Sequence, residues 1–186
     1  VGLLGAPAGR GIGCCCVRYC RRPGVAEAEF ERDVRNSLRR IYFSGSGDAP
    51  EKSTFGVLKE GGGFLDNTID PETLPPWLSE ADLDYFTGEF KRAGFRGGLN
   101  WYRNLARGWE LMAPFHGMVI KQPSLFIAGS KDGVLKFPAS QKQIAAFPQT
   151  LPGIRGTHII DGAGHWIQQE RPKEVNELLV GFLKGL

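Results

Sequence analysis

The 186-residue chain has no run of about 20 apolar residues, so no part of it is expected to cross a bilayer as a helix. It has no N-terminal apolar core closing on a small-residue cleavage site, which removes the expectation of secretion and leaves a cytoplasmic, reducing setting. Charge of one sign is scarce: 23 Lys and Arg against 20 Asp and Glu leave a net +3. The basic residues are spread along the chain, so neither a nucleic-acid nor a membrane partner is expected. What remains, 41% hydrophobic and 23% charged, is the make-up of a soluble globular protein. The length suits one ordinary domain or a piece of a larger one.

Cysteine is confined to one place, CCCVRYC, as Cys14, Cys15, Cys16 and Cys20. Adjacent cysteines do not readily bond one another, and a tetrahedral metal site draws on two separated pairs. The nearest histidine, His116, is far away in sequence, so reduced thiols are expected, with no metal and no cofactor. The glycines of GAPAGRGIG lack the strand before and the helix after that a dinucleotide loop requires. Residues 1–22 read as a divergent, poorly ordered leader.

Beyond Pro23-Gly24 the pattern turns helical. Phe30, Val34, Leu38 and Ile41 recur at helix spacing, and the helix is expected to run on until SGSGDAP breaks it. Residues 51–77, rich in glycine and proline, read as a long surface connection. A second helix starts at LSEADLDYF: Ser79 is a good N-cap, Asp82 completes a capping box, and Leu78 can staple onto Leu83. Leu83, Phe86 and Phe90 form its apolar stripe, with Tyr85 on the other side of the wheel at about 100° per residue. A third helix is expected in LNWYRNLARGWELM, with Tyr102, Leu105, Trp109 and Met112 repeating at helical intervals.

The C-terminal part has another rhythm. SLFIAG and RGTHII are strand candidates, with a helix opened by Pro138 between them. A last helix from Pro172 carries a stripe of Val175, Leu178, Leu179, Phe182 and Leu183. Strand, helix, strand, loop, helix implies an α/β arrangement with a parallel sheet. In such sheets functional residues sit beyond the carboxyl ends of the strands. Asp132 follows SLFIAG, and His165, in DGAGHW, follows THII. Alone, His165 reads as an ordinary loop histidine. Paired, the carboxylate can accept the imidazole N–H and stabilise its cation, and acid-then-histidine late in the chain is the order of an α/β-hydrolase.

GSKDGVL, DGAGHW and especially FKRAGFRGGLNWYRN resemble the C-terminal part of the epoxide hydrolases of that superfamily, from about Pro23 to the end. The resemblance implies a partial α/β-hydrolase fold, with a helical cap over residues 23–113 and the C-terminal strand-helix-strand-helix part of the core over 114–186. It implies hydrolysis of a small epoxide to a vicinal diol through an ester to an enzyme aspartate. His165 would then be the base that activates water, Asp132 its orienting acid, and Tyr85 a cap tyrosine donating to the epoxide oxygen. A phenol suits that task because the alkoxide leaving group is strongly basic.

The pattern also has gaps. No glycine-x-nucleophile-x-glycine turn occurs anywhere in the sequence, and no histidine-glycine-x-proline motif. VGLLGA is similar to the strand end that should carry the aspartate, but leucines stand where an acid is needed. Cys16 occupies the place of a first cap tyrosine, with Tyr19 nearby but out of register. The chain therefore resembles a family member whose first half is replaced by a short unrelated leader, and little or no turnover is expected of it. Two other readings stand beside this one. The chain could be a non-catalytic interaction fragment, self-associating through an uncovered sheet edge, or another α/β-hydrolase such as a haloalkane dehalogenase or an esterase.

Overall fold

A computed structural model of the chain describes residues 19–50, 55, 58 and 61–186. Among these, 45–48 and 112–186 form one compact unit, and 19–44 with the described part of 49–111 form another. Residues 45–48 fall inside the expected 23–113 region, yet they cluster with the C-terminal unit.

The helical unit begins with packed residues. Cys20 is buried, and the Tyr19 hydroxyl donates to Glu29 Oε2 at 2.7 Å. Burial, then that bond to a carboxylate, push the phenol pKa up. Residues 1–18 of the expected leader, with Cys14, Cys15 and Cys16, lie outside the described residues.

Helix α1 spans Val25–Phe30 and α2 spans Val34–Gly45, where the sequence pattern predicts one continuous helix. The break has a local cause. Asp33 Oδ1 accepts the Asn36 N–H at 3.0 Å, and the Ser37 hydroxyl donates to the Phe30 carbonyl at 2.9 Å. Side-chain bonds of this kind compete with an uninterrupted helical ladder. The apolar stripe survives the break: Phe30, Val34 and Leu38 are buried, and Ile41 packs against them.

Helix α3, Glu80–Ala93, starts as its sequence dictates. Ser79 Oγ accepts the Asp82 N–H at 3.1 Å, and Asp82 Oδ2 accepts the Ser79 N–H at 3.0 Å. It stops at Gly94, whose φ of 69° suits a residue without Cβ. Leu83 is wholly buried, and Phe86 and Phe90 pack beside the same cluster.

The expected third helix is divided into α4, Arg96–Arg103, and α5, Leu105–Leu111. At the junction the Asn100 carbonyl is shared: it accepts both the Asn104 side-chain amide at 2.9 Å and the Asn104 backbone N–H at 3.0 Å. Of the predicted stripe only Leu105 is half-buried. Tyr102, Trp109 and Met112 are 41%, 40% and 55% exposed, whereas Phe95 and Leu99 are buried.

The stretch after α2 is more than a surface connection. Glu29 accepts the N–H groups of Phe64 and Leu65, both at 3.0 Å, and Arg40 donates to the carbonyls of Leu65 and Thr68. Phe64 packs edge-on to Phe30 at 5.5 Å, placing loop residues against the helical core.

The C-terminal unit holds two parallel strands, β1 (Ser124–Gly129) and β2 (Ile154–Ile160), in register from Leu125↔Gly156 to Gly129↔Ile160. Two helices connect them: α6, Pro138–Ala145, and α7, Phe147–Thr150. Pro148 has no N–H to continue α6, and it sits in the first turn of α7, where none is needed. Phe147 then packs on Phe126 of β1, centroids 5.1 Å apart.

After β2 come α8, Ile167–Glu170, and α9, Pro172–Lys184. Ile160, Ala163, Ile167 and Val175 form a small core with Ile127 and Leu178 packed on it. Among the described residues no third strand pairs with the sheet. Accordingly Ile159, Leu179 and Leu183 stand 47%, 41% and 61% exposed, so much of the α9 stripe is uncovered.

The helical core should be the costliest place to damage the helical unit. Leu83→Ala removes a wholly buried side chain and should cost about 2–5 kcal/mol, read as a lower urea midpoint by far-UV circular dichroism. An unchanged midpoint would show that this cluster does not hold the unit together.

Candidate active site

Parallel pairing sends the chain off both strands at the same edge, and small residues let the two exits touch. A Cβ on Gly129 would stand 2.3 Å from the Ala163 carbonyl oxygen and 2.4 Å from that of Gly164. The exits are laced by backbone bonds, Ser130 N–H to Ile160 O and Lys131 N–H to Ala163 O, each at 2.9 Å. Ser130 Oγ accepts the Gly162 N–H at 2.9 Å while its own proton goes to Asp161 Oδ1 at 3.0 Å.

Asp132 caps the 3-10 turn Gly133–Lys136, its Oδ1 accepting the Val134 N–H at 2.9 Å. The other oxygen is thereby aimed at His165, with Oδ2 to Nδ1 at 3.1 Å. The aspartate side chain is 15% exposed and the imidazole 41%. Burial alone would raise the Asp132 pKa; the hydrogen bonds from His165 and from Val134, with the imidazole charge, more than offset it and leave the carboxyl below its ordinary range. His165 moves the opposite way. Its bond to Asp132 raises its pKa against the pull of burial, helped by the negative charges of Asp132 and Glu170.

A third segment completes the site. The GSGD stretch at residues 45–48 reads in sequence only as part of a helix stop, yet it lies directly against DGAGH. Cβ atoms on Gly47 and Gly164 would meet the Gly162 carbonyl oxygen at 1.9 Å and the Gly47 nitrogen at 2.4 Å respectively. Only glycines permit that approach. The His165 N–H donates to the Gly45 carbonyl, and Lys131 Nζ to that of Gly47, both at 2.8 Å.

Glu170, only 6% exposed, accepts N–H groups from both this segment and the histidine loop. Neither Glu170 nor residues 45–48 is singled out by sequence reasoning. The available signals were paired glycines in SGSG and DGAG, and a lone acid in IQQER just before Pro172.

Tyr85 belongs to the helical unit. It stands 67% exposed on α3, its ring 6.1 Å from that of Phe86. Among the described residues no three His, Cys, Asp or Glu side chains gather as metal ligands, and no helix is long and apolar enough to cross a membrane.

An acid and a histidine delivered from the ends of adjacent parallel strands, with helices between and after them, define an α/β-hydrolase core, and solved structures of that fold superpose on the chain. An epoxide hydrolase from an endophytic Streptomyces does so with a TM-score of 0.86 at 46% identity, over 91% of this chain and 51% of that one. Epoxide hydrolase A from Mycobacterium thermoresistibile gives 0.81 at 42% identity, over 91% and 52%. In sequence the chain is 42% identical over 171 residues to epoxide hydrolase A of Mycobacterium tuberculosis, covering 91% of this chain and 52% of that protein.

Over about nine-tenths of its length the chain matches proteins named as epoxide hydrolases, which are α/β-hydrolases, and it corresponds to their C-terminal half. It spans about half the length of these relatives. No family model matches it.

The paired shifts make the pair's contribution to stability depend on pH. A raised histidine pKa stabilises the fold below its ordinary value of 6.5 and stops doing so as pH rises through the folded value. A lowered aspartate pKa stabilises it above 3.8 and fails as pH falls through the folded value. The contribution is therefore full between those two pH values. Asp132→Asn should cost more stability near about pH 5.5 than near about pH 9, measured by urea unfolding of both proteins. An equal cost at both would mean that the two charges are not coupled.

Proposed function

We propose that this chain carries the acid–histidine pair of an epoxide hydrolase, with His165 as the base that activates water and Asp132 as the acid that orients it. The observation that carries the reading is the 3.1 Å contact between them at neighbouring strand ends, in a chain with these relatives. With Nδ1–H directed at the carboxylate, Nε2 keeps the lone pair that takes a proton from water.

In the full reaction an aspartate carboxylate attacks one epoxide carbon. The C–O bond breaks, and the ring oxygen leaves as an alkoxide that takes a proton from a phenol. Water then adds to the resulting ester carbonyl, giving one proton to His165; the tetrahedral adduct expels the diol oxygen, which takes the adduct's remaining hydroxyl proton as the carboxylate re-forms, and the imidazolium proton returns to the phenolate. Tyr85 is our choice for the phenol; its exposure on α3 supports the assignment. The substrate is a small-molecule epoxide.

The chain has no glycine-x-aspartate-x-glycine turn to supply the first step. We therefore propose that the 186 residues alone turn over little or no epoxide, because the pair has no ester to act on. A cytoplasmic setting belongs to the same proposal, as a place where the thiols of Cys14, Cys15, Cys16 and Cys20 stay reduced.

A second reading rests on a different observation. The sheet has two strands among the described residues, and Phe115, Met118, Ile120 and Ile159 are all at least 47% exposed in the same unit. Such a surface suits an interaction fragment that associates through its sheet edge. Light scattering on the eluting chain separates the two, since a monomer that binds nothing counts against association.

The principal test is to incubate the purified chain with a styrene-oxide-type substrate and follow diol formation. We expect none above the uncatalysed background. Turnover that disappears with His165→Gln would overturn the proposed inactivity while supporting the base.

A further inference from the structure

His165 lies between two peptide groups that one side chain holds. The N–H of Gly164 donates to Glu170 Oε2 at 2.8 Å, and that of Trp166 to Oε1 at 3.0 Å. The N–H of Gly47 also reaches Oε2, at 2.8 Å. A carboxylate 6% exposed has given up nearly all its water, and three charge-assisted bonds from the backbone take the water's place. Glu170 ends the short helix α8, so a plain capping role would account for the Trp166 bond. It would not account for Gly47, 123 residues away in the chain, or for Gly164.

None of these bonds touches the imidazole. They fix the peptide planes before and after it, while the His165 N–H is held by the Gly45 carbonyl at 2.8 Å. With both flanking planes set, the Cα–Cβ direction of His165 is set as well. Asp132 is fixed independently by the Val134 N–H. The two ring-to-carboxylate partners are thus pre-aimed from separate loops, as a precise contact requires.

We propose that Glu170 is a positioning residue for His165, its buried carboxylate gathering the N–H groups of Gly47, Gly164 and Trp166 and so holding imidazole Nδ1 against Asp132. The inference rests on the reading of Asp132 and His165 as the working pair, but its test needs no turnover. The charged groups around the imidazole are Asp132 from the loop after β1 and Glu170 from α8, with Lys131 anchored on the Gly47 carbonyl.

The experiment is an NMR pH titration of the His165 imidazole in the full chain. Glu170→Gln keeps the shape but turns one acceptor into a donor facing backbone N–H groups. It should lower the His165 pKa, and should lower it far less when Asp132 is already Asn, because a positioning effect acts through that contact. Val175→Ala, which opens a cavity in the same small core, should leave the value in place.

The proposal is overturned by an unchanged pKa in Glu170→Gln, by an equal drop in both backgrounds, or by the same drop in Val175→Ala. Should Glu170→Gln not fold, hydrogen exchange in the unsubstituted chain decides. The Gly164 and Trp166 amides should exchange slowly and together despite lying at a loop, and exchange at free-peptide rates would refute the proposal. Loss of the epoxide reading would leave each of these outcomes as it is.

Discussion

Parallel strands that stay in register to their last residues release the chain at one common edge, and the geometry of the site follows from that. Gly129 and Ile160 face each other as the final pair, so the loops after β1 and β2 begin side by side. Three residues past one exit and five past the other, Asp132 and His165 are within hydrogen-bonding reach. The crowding that results can be met only by residues without side chains. Gly129, Gly164 and Gly47 each stand where a Cβ would collide with a neighbouring backbone.

Electrostatics then act on what the backbone has arranged. Two carboxylates lie near one imidazole, in different roles. Asp132 spends one oxygen on its own turn and one on the ring, and each bond favours its ionised form. Glu170 spends both oxygens on the backbone and contributes to the ring only its charge and the placement of its neighbours. Burial opposes ionisation of the Asp132 and His165 side chains. It also removes the water that would otherwise compete for their hydrogen bonds, so the contact is strengthened by the setting that makes its charges costly.

The helical unit is held in another way, by aromatic packing stitched with buried polar groups. Phe30 meets both Phe64 and Phe95, and Phe90 meets Phe95 at 4.5 Å. Around them Glu29 and Arg40 bind loop backbone, and Arg103 pairs with Glu27 at 2.6 Å with both side chains 14% exposed. Outside this packed interior Tyr85 and Trp101 stand exposed, at 67% and 81%.

Much of this was legible in the sequence because it depends on local rules. Both strands, the helix between them, the capping box at Ser79 and the stop at Gly94 follow from residue type and spacing alone. So does the placing of Asp132 and His165 at strand ends. What the sequence could not settle was decided between segments distant in the chain. One expected helix is divided because Asp33 and Ser37 find backbone partners. The stripe through Tyr102 and Trp109 faces outward because Phe95 and Leu99 take the interior. Glu170 is buried because N–H groups 6 and 123 residues away converge on it. Periodicity records which face of an element is apolar; only the folded chain decides what that face meets, since a hydrogen bond or a close glycine contact depends on distance in space and leaves no period in the sequence.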